Sequence, residues 1–559
     1  MGFKKKAVLG FAAAALVFAF AACTTTGNNT SDSDAAGSGN NASTGEQVYT
    51  YVERQEIPSA DPSLATDEVS FVALNNVYEG IYRLDKDNHP QPAGAAEEAE
   101  VSEDGLIYRI KLREDAVWTD GEPVTAENYV YGWQRTVDPD TGSEYAHMFA
   151  PVKNAEKISA GEMDKKELGI KAVSDYELEI TLEKATPYFD YLLAFPSFLP
   201  QRQDIVEKYG KDYTTNSESA VYNGPFTLTD FDGPGTDTNW SYTKNDMYWD
   251  KDTVKLDKIV VDVIKEAPTS LNLYQDGQAD SVPLSGELAM QMKEDPDYLV
   301  LEGASTFYLE LNQIDADSPY KNANLRKALS YAINRDALVT QILANGSTAA
   351  EGLVPKGLTT NPDTNEDFSK EAGNSVVYDE KKAKDYWTKA KKELKIDSLD
   401  IDLLVDDSDG GKKMAEYLQG SLGEVLEGIN ITVSPVPFSV RLDRMSKSDF
   451  DVAVSGWGAD YADPSSFLDL FVTDNSYNRG QYSNKKYDEL VDKAATTDLS
   501  TAEARWQDYL DAEKIIMDDM GVIPIYQKAE VFLRTPKIKD LYYHSTGAKY
   551  DFKWAYMEE

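Results

Sequence analysis

A mixed α/β protein built of two or more compact lobes is the fold class this sequence predicts, on three observations. Strand-like alternations and helix-like periodicities follow one another along most of the 559 residues. Roughly 510 residues follow the polar segment near the start, more than a single hydrophobic core organises. With 41% hydrophobic residues and 34 tyrosines, the chain can still fill a large interior.

The elements are justified in chain order. Lys4, Lys5 and Lys6 precede an apolar run over residues 8–20. That run is too short to cross a hydrocarbon core of roughly 30 Å, but it suits a cleaved signal. Ala21 and Ala22 lead into Cys23, the only cysteine. The arrangement resembles the bacterial lipobox, with Phe20 standing where that motif prefers Leu. The resemblance implies a signal peptide at 1–22, acylation of Cys23 with a lipid such as palmitate, and a lipidated N-terminus with a flexible tether at 23–45. Residues 24–45 are rich in Ser, Thr, Asn, Gly and Ala and carry no large apolar side chain, as a tether requires. No second apolar run is long enough to span a membrane. The working part is therefore expected on the outer face of the cell membrane of a Gram-positive bacterium, held by the lipid anchor alone.

Folding is expected to begin near Glu46 and Gln47, where Val48, Tyr49 and Tyr51 start an alternation. Residues 108–112 read as a strand with Tyr108, Ile110 and Leu112 on one face. A helix follows, with Thr125 as N-cap and Asn128 at the N3 position, running through Trp133. A strand is expected over 256–264, a helix over 324–343, a strand over 399–405 and a helix over 414–426. Residues 450–454 are short and β-branched, with Phe450, Val452 and Val454 apolar, as in a buried central strand. They run into Gly456-Trp457-Gly458-Ala459-Asp460-Tyr461, whose two glycines permit unusual dihedrals and close backbone approach. Loops at strand ends of α/β sheets are where ligands usually sit.

The formal net charge is −42, and losing the three signal lysines makes it three units more negative. Such an excess repels phosphate backbones and anionic headgroups, which argues against nucleic-acid and peripheral membrane binding. The motifs of catalysis are missing as well. No cysteine remains for thiol chemistry or zinc, and His89, His147 and His544 lie far apart, read as surface or capping residues. There is no nucleophile elbow, no His-Glu-x-x-His and no dinucleotide fingerprint. Gly410-Gly411-Lys412 lacks the first glycine of a phosphate loop, and Asp406, Asp407 and Asp409 fail calcium-loop spacing because Val405 stands at the first ligand position. A binding protein, without enzymatic activity, metal or cofactor, is expected.

Specific blocks carry a family resemblance. Residues 56–62 (EIPSADP), 79–82 (EGIY), 101–106 (VSEDGL), 111–113 (KLR), 118–126 (WTDGEPVTA) and 130–135 (VYGWQR) are followed by 223–226 (NGPF), 248–249 (YW) and 273–280 (LYQDGQAD). Residues 325–329 (LRKAL), 334–336 (NRD) and 457–461 (WGADY) complete the series. Together they resemble the bacterial oligopeptide-binding proteins, extracellular solute-binding proteins of family 5 that serve ABC peptide importers, over essentially the whole chain from Gln47.

The resemblance implies a periplasmic-binding-protein-like, Venus-flytrap fold with two lobes, a hinge of crossing strands and a subdomain inserted in the first lobe. The first lobe is placed at 46–84, 205–307 and 528–559, the insert at 85–204 and the second lobe at 308–527. It further implies a monomeric receptor that captures oligopeptides and passes them to the transmembrane subunits of an ABC permease. Asp460 is the implied partner of the peptide α-amino group, with Trp457, Gly458 and Tyr461 around it, Tyr145 from the insert and Asn223 before a strand. Two departures accompany the match. Val454 stands where some members carry an arginine that meets the carboxylate of short peptides, and Gly410-Gly411-Lys412 replaces a histidine that serves the same terminus. Longer ligands with a free C-terminus, or another cation such as Lys412, would fit. A receptor of the same fold for an oligosaccharide, or for a signalling peptide pheromone, is the alternative.

Overall fold

The computed structural model describes residues 45–498 and 501–558. The signal peptide, Cys23 and nearly all of the tether fall outside the described residues. From Glu46 the chain forms one compact unit.

An eleven-stranded mixed sheet runs through it. Ten of its strands are β1 (Val48–Glu53), β2 (Phe226–Thr229), β3 (Asn239–Lys244), β4 (Lys258–Val263), β5 (Ser281–Leu284), β6 (Tyr298–Leu311), β7 (Leu399–Asp406), β8 (Ile429–Val436), β9 (Val452–Gly458) and β10 (Ile523–Arg534). Their spatial order is β8-β7-β9-β6-β10-β5-β1-β4-β3-β2, and Thr348–Ala349 adds a short strand on β10. β1 lies parallel between β4 and β5, and β7 parallel between β8 and β9. Parallel strands are covered on both faces, which matches the buried run Leu403, Leu404 and Val405 of β7.

β6 and β10 form a long antiparallel ribbon that joins the two halves of the sheet. One end of β10, residues 531–534, pairs with β5, while residues 305–311 of β6 pair with β9. The β6–β10 ladder breaks register between Glu302 and Thr306, in mid-ribbon, and such a shift bends and twists a ribbon locally. The result is a curled sheet in a two-lobed α/β molecule. A separate four-stranded antiparallel sheet, in the order Glu100–Val101, Ile107–Lys111, Glu177–Thr181, Ile170–Ser174, lies wholly within residues 85–204.

Local chemistry explains most boundaries. Helix Ala126–Val137 starts at the expected capping box: the Thr125 amide donates to Asn128 Oδ1 at 2.9 Å. Tyr108, Ile110 and Leu112 share a buried face, as their spacing predicts. The helix expected over 324–343 is instead broken. Ala323–Ala332 ends before Asn334, whose side chain accepts from the Ala337 amide at 3.0 Å and restarts the chain as a short helix followed by a π-helical turn, Leu338–Leu343. Arg335 turns inward there and donates to the Pro524 carbonyl of β10 at 2.7 Å, a tertiary tie that no periodicity reveals. The helix expected from residue 414 begins at Asp409, because Ser408 caps it by accepting from the Gly411 amide at 3.1 Å.

Candidate functional site

A cavity of about 1150 Å³, measured out to its mouth, lies against β6 and β9 and the turn that follows β9. β9 pairs with β6 along residues 452–458 but with β7 only at Val452 and Ala453. Ser455, Gly456, Trp457 and Gly458 therefore keep one edge without a strand partner, and all four line the cavity. The two glycines of this segment do not take a left-handed conformation; what Gly456 provides is room. A Cβ there would stand 2.8 Å from the Phe307 ring.

Asp460 sits on the wall two residues past β9. Its turn is pinned by three hydrogen bonds: the Ala459 amide donates to the Ala304 carbonyl at 2.9 Å, the Gly547 amide to the Ala459 carbonyl at 2.8 Å, and the Asp460 amide to Ser466 Oγ at 2.8 Å. The residue is only 9% exposed. Among the described residues no Lys, Arg or His stands within ion-pair distance of its carboxylate, which instead accepts from the Tyr145 hydroxyl at 3.4 Å. Burial pushes its pKa well above the usual carboxylate range, and the Tyr145 hydrogen bond opposes that only in part.

Tyr145 and Trp457 are also brought together, near parallel with ring centroids 6.2 Å apart, and Tyr477 meets Trp457 edge-on at 4.6 Å. The Trp457 Nε1 donor is buried without an acceptor. Gly458 lines the same wall. Tyr461 does not: its ring stacks on Tyr188 at 4.6 Å, its hydroxyl meets Ser465 at 3.2 Å, and it faces a smaller adjoining cavity of about 420 Å³ that shares Asp460. Asn223 stands away from both. Its side chain accepts from the Glu79 amide at 3.0 Å and donates to the Glu79 carbonyl at 3.1 Å, so it fixes a turn. Lys412 lines neither and pairs with Glu266 at 3.2 Å.

Other lining residues escaped sequence reasoning. Asp67 caps helix Glu68–Val77, and burial raises its pKa to about 7. Glu310 accepts from the Gly480 amide at 2.7 Å and is raised to about 7 for the same reason. Arg479 pairs with Glu144 at 2.7 Å, and Lys528 with Glu68 at 3.3 Å. His544, expected at the surface, is buried beside the cavity with Nδ1 2.7 Å from Asn88 Oδ1. Arg441 lines the cavity from helix Phe438–Ser446. Its spacing from Phe438 and Met445 puts it on the buried face of that helix, a signal the sequence does contain. Among the described residues no cluster of His, Cys, Asp or Glu could hold a metal ion, and no helix is long and apolar enough to cross a membrane.

A two-lobed α/β molecule with a cavity open at its mouth, a free strand edge and, among the described residues, a buried carboxylate without an ion-pair partner on its wall has the form of a ligand-binding protein. The comparisons agree on the class and give the family: residues 89–479 match the bacterial extracellular solute-binding proteins, family 5. The chain belongs to that family. It is 39% identical over 515 residues to a dipeptide-binding protein of Lactococcus lactis, covering 90% of this chain and 93% of the relative. Its fold superposes on Listeria monocytogenes OppA bound to peptide with a TM-score of 0.89 and 43% identity, covering 92% of this chain and all of the other. The pheromone receptor PrgZ, solved for its mode of peptide binding, gives 0.88 and 44% over the same shares.

Proposed function

We propose that this chain is a lipid-anchored receptor that captures oligopeptides in the cavity beside β9 and delivers them to an ABC importer. The observation that carries the reading is Asp460, a buried carboxylate with no cation within ion-pair distance among the described residues. A buried charge is costly unless paired, and the α-ammonium group common to free peptides is such a partner. The open edge of 455–458 offers main-chain donors and acceptors, which any peptide sequence can meet by strand addition. A sugar needs no buried carboxylate of this kind, so a peptide fits better than an oligosaccharide. The 44% identity to a pheromone receptor supports a second reading in which the captured peptide is a signal.

Thermal unfolding of the chain from Gly27, with peptides and their N-acetylated twins, tests capture. A ligand at 100 times its Kd stabilises the bound state by about 2.7 kcal/mol. Stabilisation by free peptides and none by acetylated twins is the expected result; equal shifts for both remove Asp460 from the role. The anchor is tested by labelling cells with a radioactive fatty acid. Label on the intact protein, lost together with membrane retention in Cys23→Ala, is expected.

A further inference from the structure

Helix Glu380–Leu394 carries a charge opposite to that of the molecule around it. Residues 380–395 hold seven lysines against three acids, in a chain whose formal net charge is −42. The helix buries one stripe, Ala383, Trp387 and Ala390, and Trp387 Nε1 donates to the Glu427 carbonyl at 2.8 Å. Lys381, Lys389 and Lys392 stand on the opposite side and are exposed. Among the described residues none of these three has a carboxylate within ion-pair distance, while Lys384 pairs with Glu380 at 3.4 Å and Lys382 reaches Asp379 only at 3.9 Å. Glu393 is already held by the Asn322 and Asn324 side chains, each donating to it at 2.8 Å. Lys382 and Lys389 lie instead over the stacked rings of Tyr331 and Tyr386, 5.1 and 4.6 Å from the ring centres. Lys389 and Lys392 are neighbours on the helix surface, where like charges repel, and an anionic partner removes that cost.

The acid excess argues against membrane binding for the molecule as a whole. At physiological ionic strength, however, charges more than about 8 Å apart are screened, so a face that touches a surface is governed by its own charges. Chain length supplies the anion. Residues 24–45 reach at most about 80 Å when extended. A compact chain of this size has a radius of gyration of about 24 Å and is roughly 60 Å across, so any of its faces can meet the membrane that a lipid on Cys23 would enter. Each lysine close to an anionic bilayer tightens binding about fivefold, and a tether raises the effective concentration until a weak contact suffices. We propose that the lysine face of helix Glu380–Leu394 docks on anionic phospholipid headgroups of the membrane that holds the anchor, which fixes the side of the receptor turned to the bilayer. The proposal rests on the anchor reading of Cys23 given above.

The test is co-sedimentation of the chain from Gly27 with phosphatidylcholine vesicles, either pure or containing about one-third phosphatidylglycerol. That chain holds the whole compact unit and lacks Cys23, so lipidation contributes nothing to the result. Binding to the anionic vesicles alone is expected at about 0.1 M salt, with release as salt is raised. The triple variant Lys381→Gln, Lys389→Gln and Lys392→Gln should bind about tenfold or more weakly. The triple variant Lys153→Gln, Lys157→Gln and Lys166→Gln changes the net charge equally at exposed lysines elsewhere and should bind as the unaltered protein does. Thermal unfolding with and without peptide should be the same for all three proteins, which shows that the variants are folded. No binding to the anionic vesicles, equal binding to both kinds of vesicle, or equal losses in the two variants overturns the proposal. So does self-association without lipid, seen by sedimentation velocity and lost in the first variant, because it gives the face to the acidic surface of a second copy. A missing fatty-acid label on cells overturns the anchor reading alone and leaves the vesicle results as they are.

Discussion

Tyr145 and Asp460 lie 315 residues apart in the chain, yet the tyrosine hydroxyl donates to the carboxylate at 3.4 Å inside the cavity wall. The bond is long, and it is the side-chain contact that favours the ionised form of Asp460 against burial. Tyr145→Phe should therefore push the Asp460 pKa higher still. A hydrogen bond of this kind contributes about 0.5–1.5 kcal/mol, so affinity for free peptides at pH 7 should fall roughly threefold to tenfold. N-acetylated peptides, which bring no ammonium group, should be nearly indifferent to the change. Titration calorimetry on both peptide forms checks it.

The pH dependence of capture follows from the same group. In the empty cavity burial favours the protonated Asp460, whereas an ammonium ligand requires the ionised form, so binding expels a proton. Affinity should rise with pH until the pKa of the empty site is passed, then fall as the peptide amine, with a pKa of about 8, loses its own proton. Asp67 and Glu310, each raised to about 7, face the same space together with Asp406, Arg441, Arg479, Lys528 and His544, so they contribute to the slope. Asp460→Asn should remove most of the rise. Affinities of one tripeptide between pH 5 and 9, in both proteins, decide the matter; a flat profile in the unaltered protein would refute the coupling.

How much of this was legible depends on whether the signal was local. The strand at 399–405 and the capping box at Thr125 were readable because their patterns repeat within one element, whereas the strand expected at 450–454 runs from Val452 to Gly458, through the glycines read as a loop. Asp460 and Trp457 were readable through a resemblance carried by five consecutive residues. Arg479 and Glu310 were not: each acquires its meaning from a partner far away in the chain, and a lone charged residue among 97 acids and 55 bases has no local signature. Asn223 shows the opposite case. Its motif matches the family, but the side chain closes a turn on Glu79 and lines neither of the two cavities described. The break at Asn334 was hidden because apolar spacing continues through it, while the Arg335 contact to β10 decides the backbone.

Gly456 makes the glycine argument quantitative. A Cβ at this position would stand 2.8 Å from the Phe307 ring, which is itself stacked on Tyr526 at 4.8 Å and has little freedom to retreat. Gly456→Ala should destabilise the protein by about 1–3 kcal/mol through overpacking. Phe307→Leu, with a smaller side chain, should recover part of that loss in the double variant, giving a coupling that denaturant unfolding can measure. Strict additivity of the two changes would show that the contact is not the reason for the glycine.

The last prediction concerns the polar core that ties the C-terminal segment to the first helix. Arg83 is 5% exposed, lies 3.0 Å from Glu79 and 2.5 Å from Asp551, and donates to the Asn75 and Tyr78 carbonyls that end helix Glu68–Val77. The Tyr248 hydroxyl completes the group on Glu79. The guanidinium holds the Asp551 carboxyl below its ordinary range despite full burial. Arg83→Met leaves two carboxylates and two helix-end carbonyls without their donor, a loss worth about 3–5 kcal/mol when a buried pair is broken from one side. With an unfolding entropy of about 2.1 cal/mol/K per residue, a chain of this size should lose only about 3–5 °C in Tm, so denaturant midpoints are the better readout. Replacing Asp551 by Asn in the same variant removes one of the stranded charges and should restore part of the stability. A double variant no more stable than Arg83→Met would mean that the cost lies in the helix-end carbonyls and not in the carboxylates.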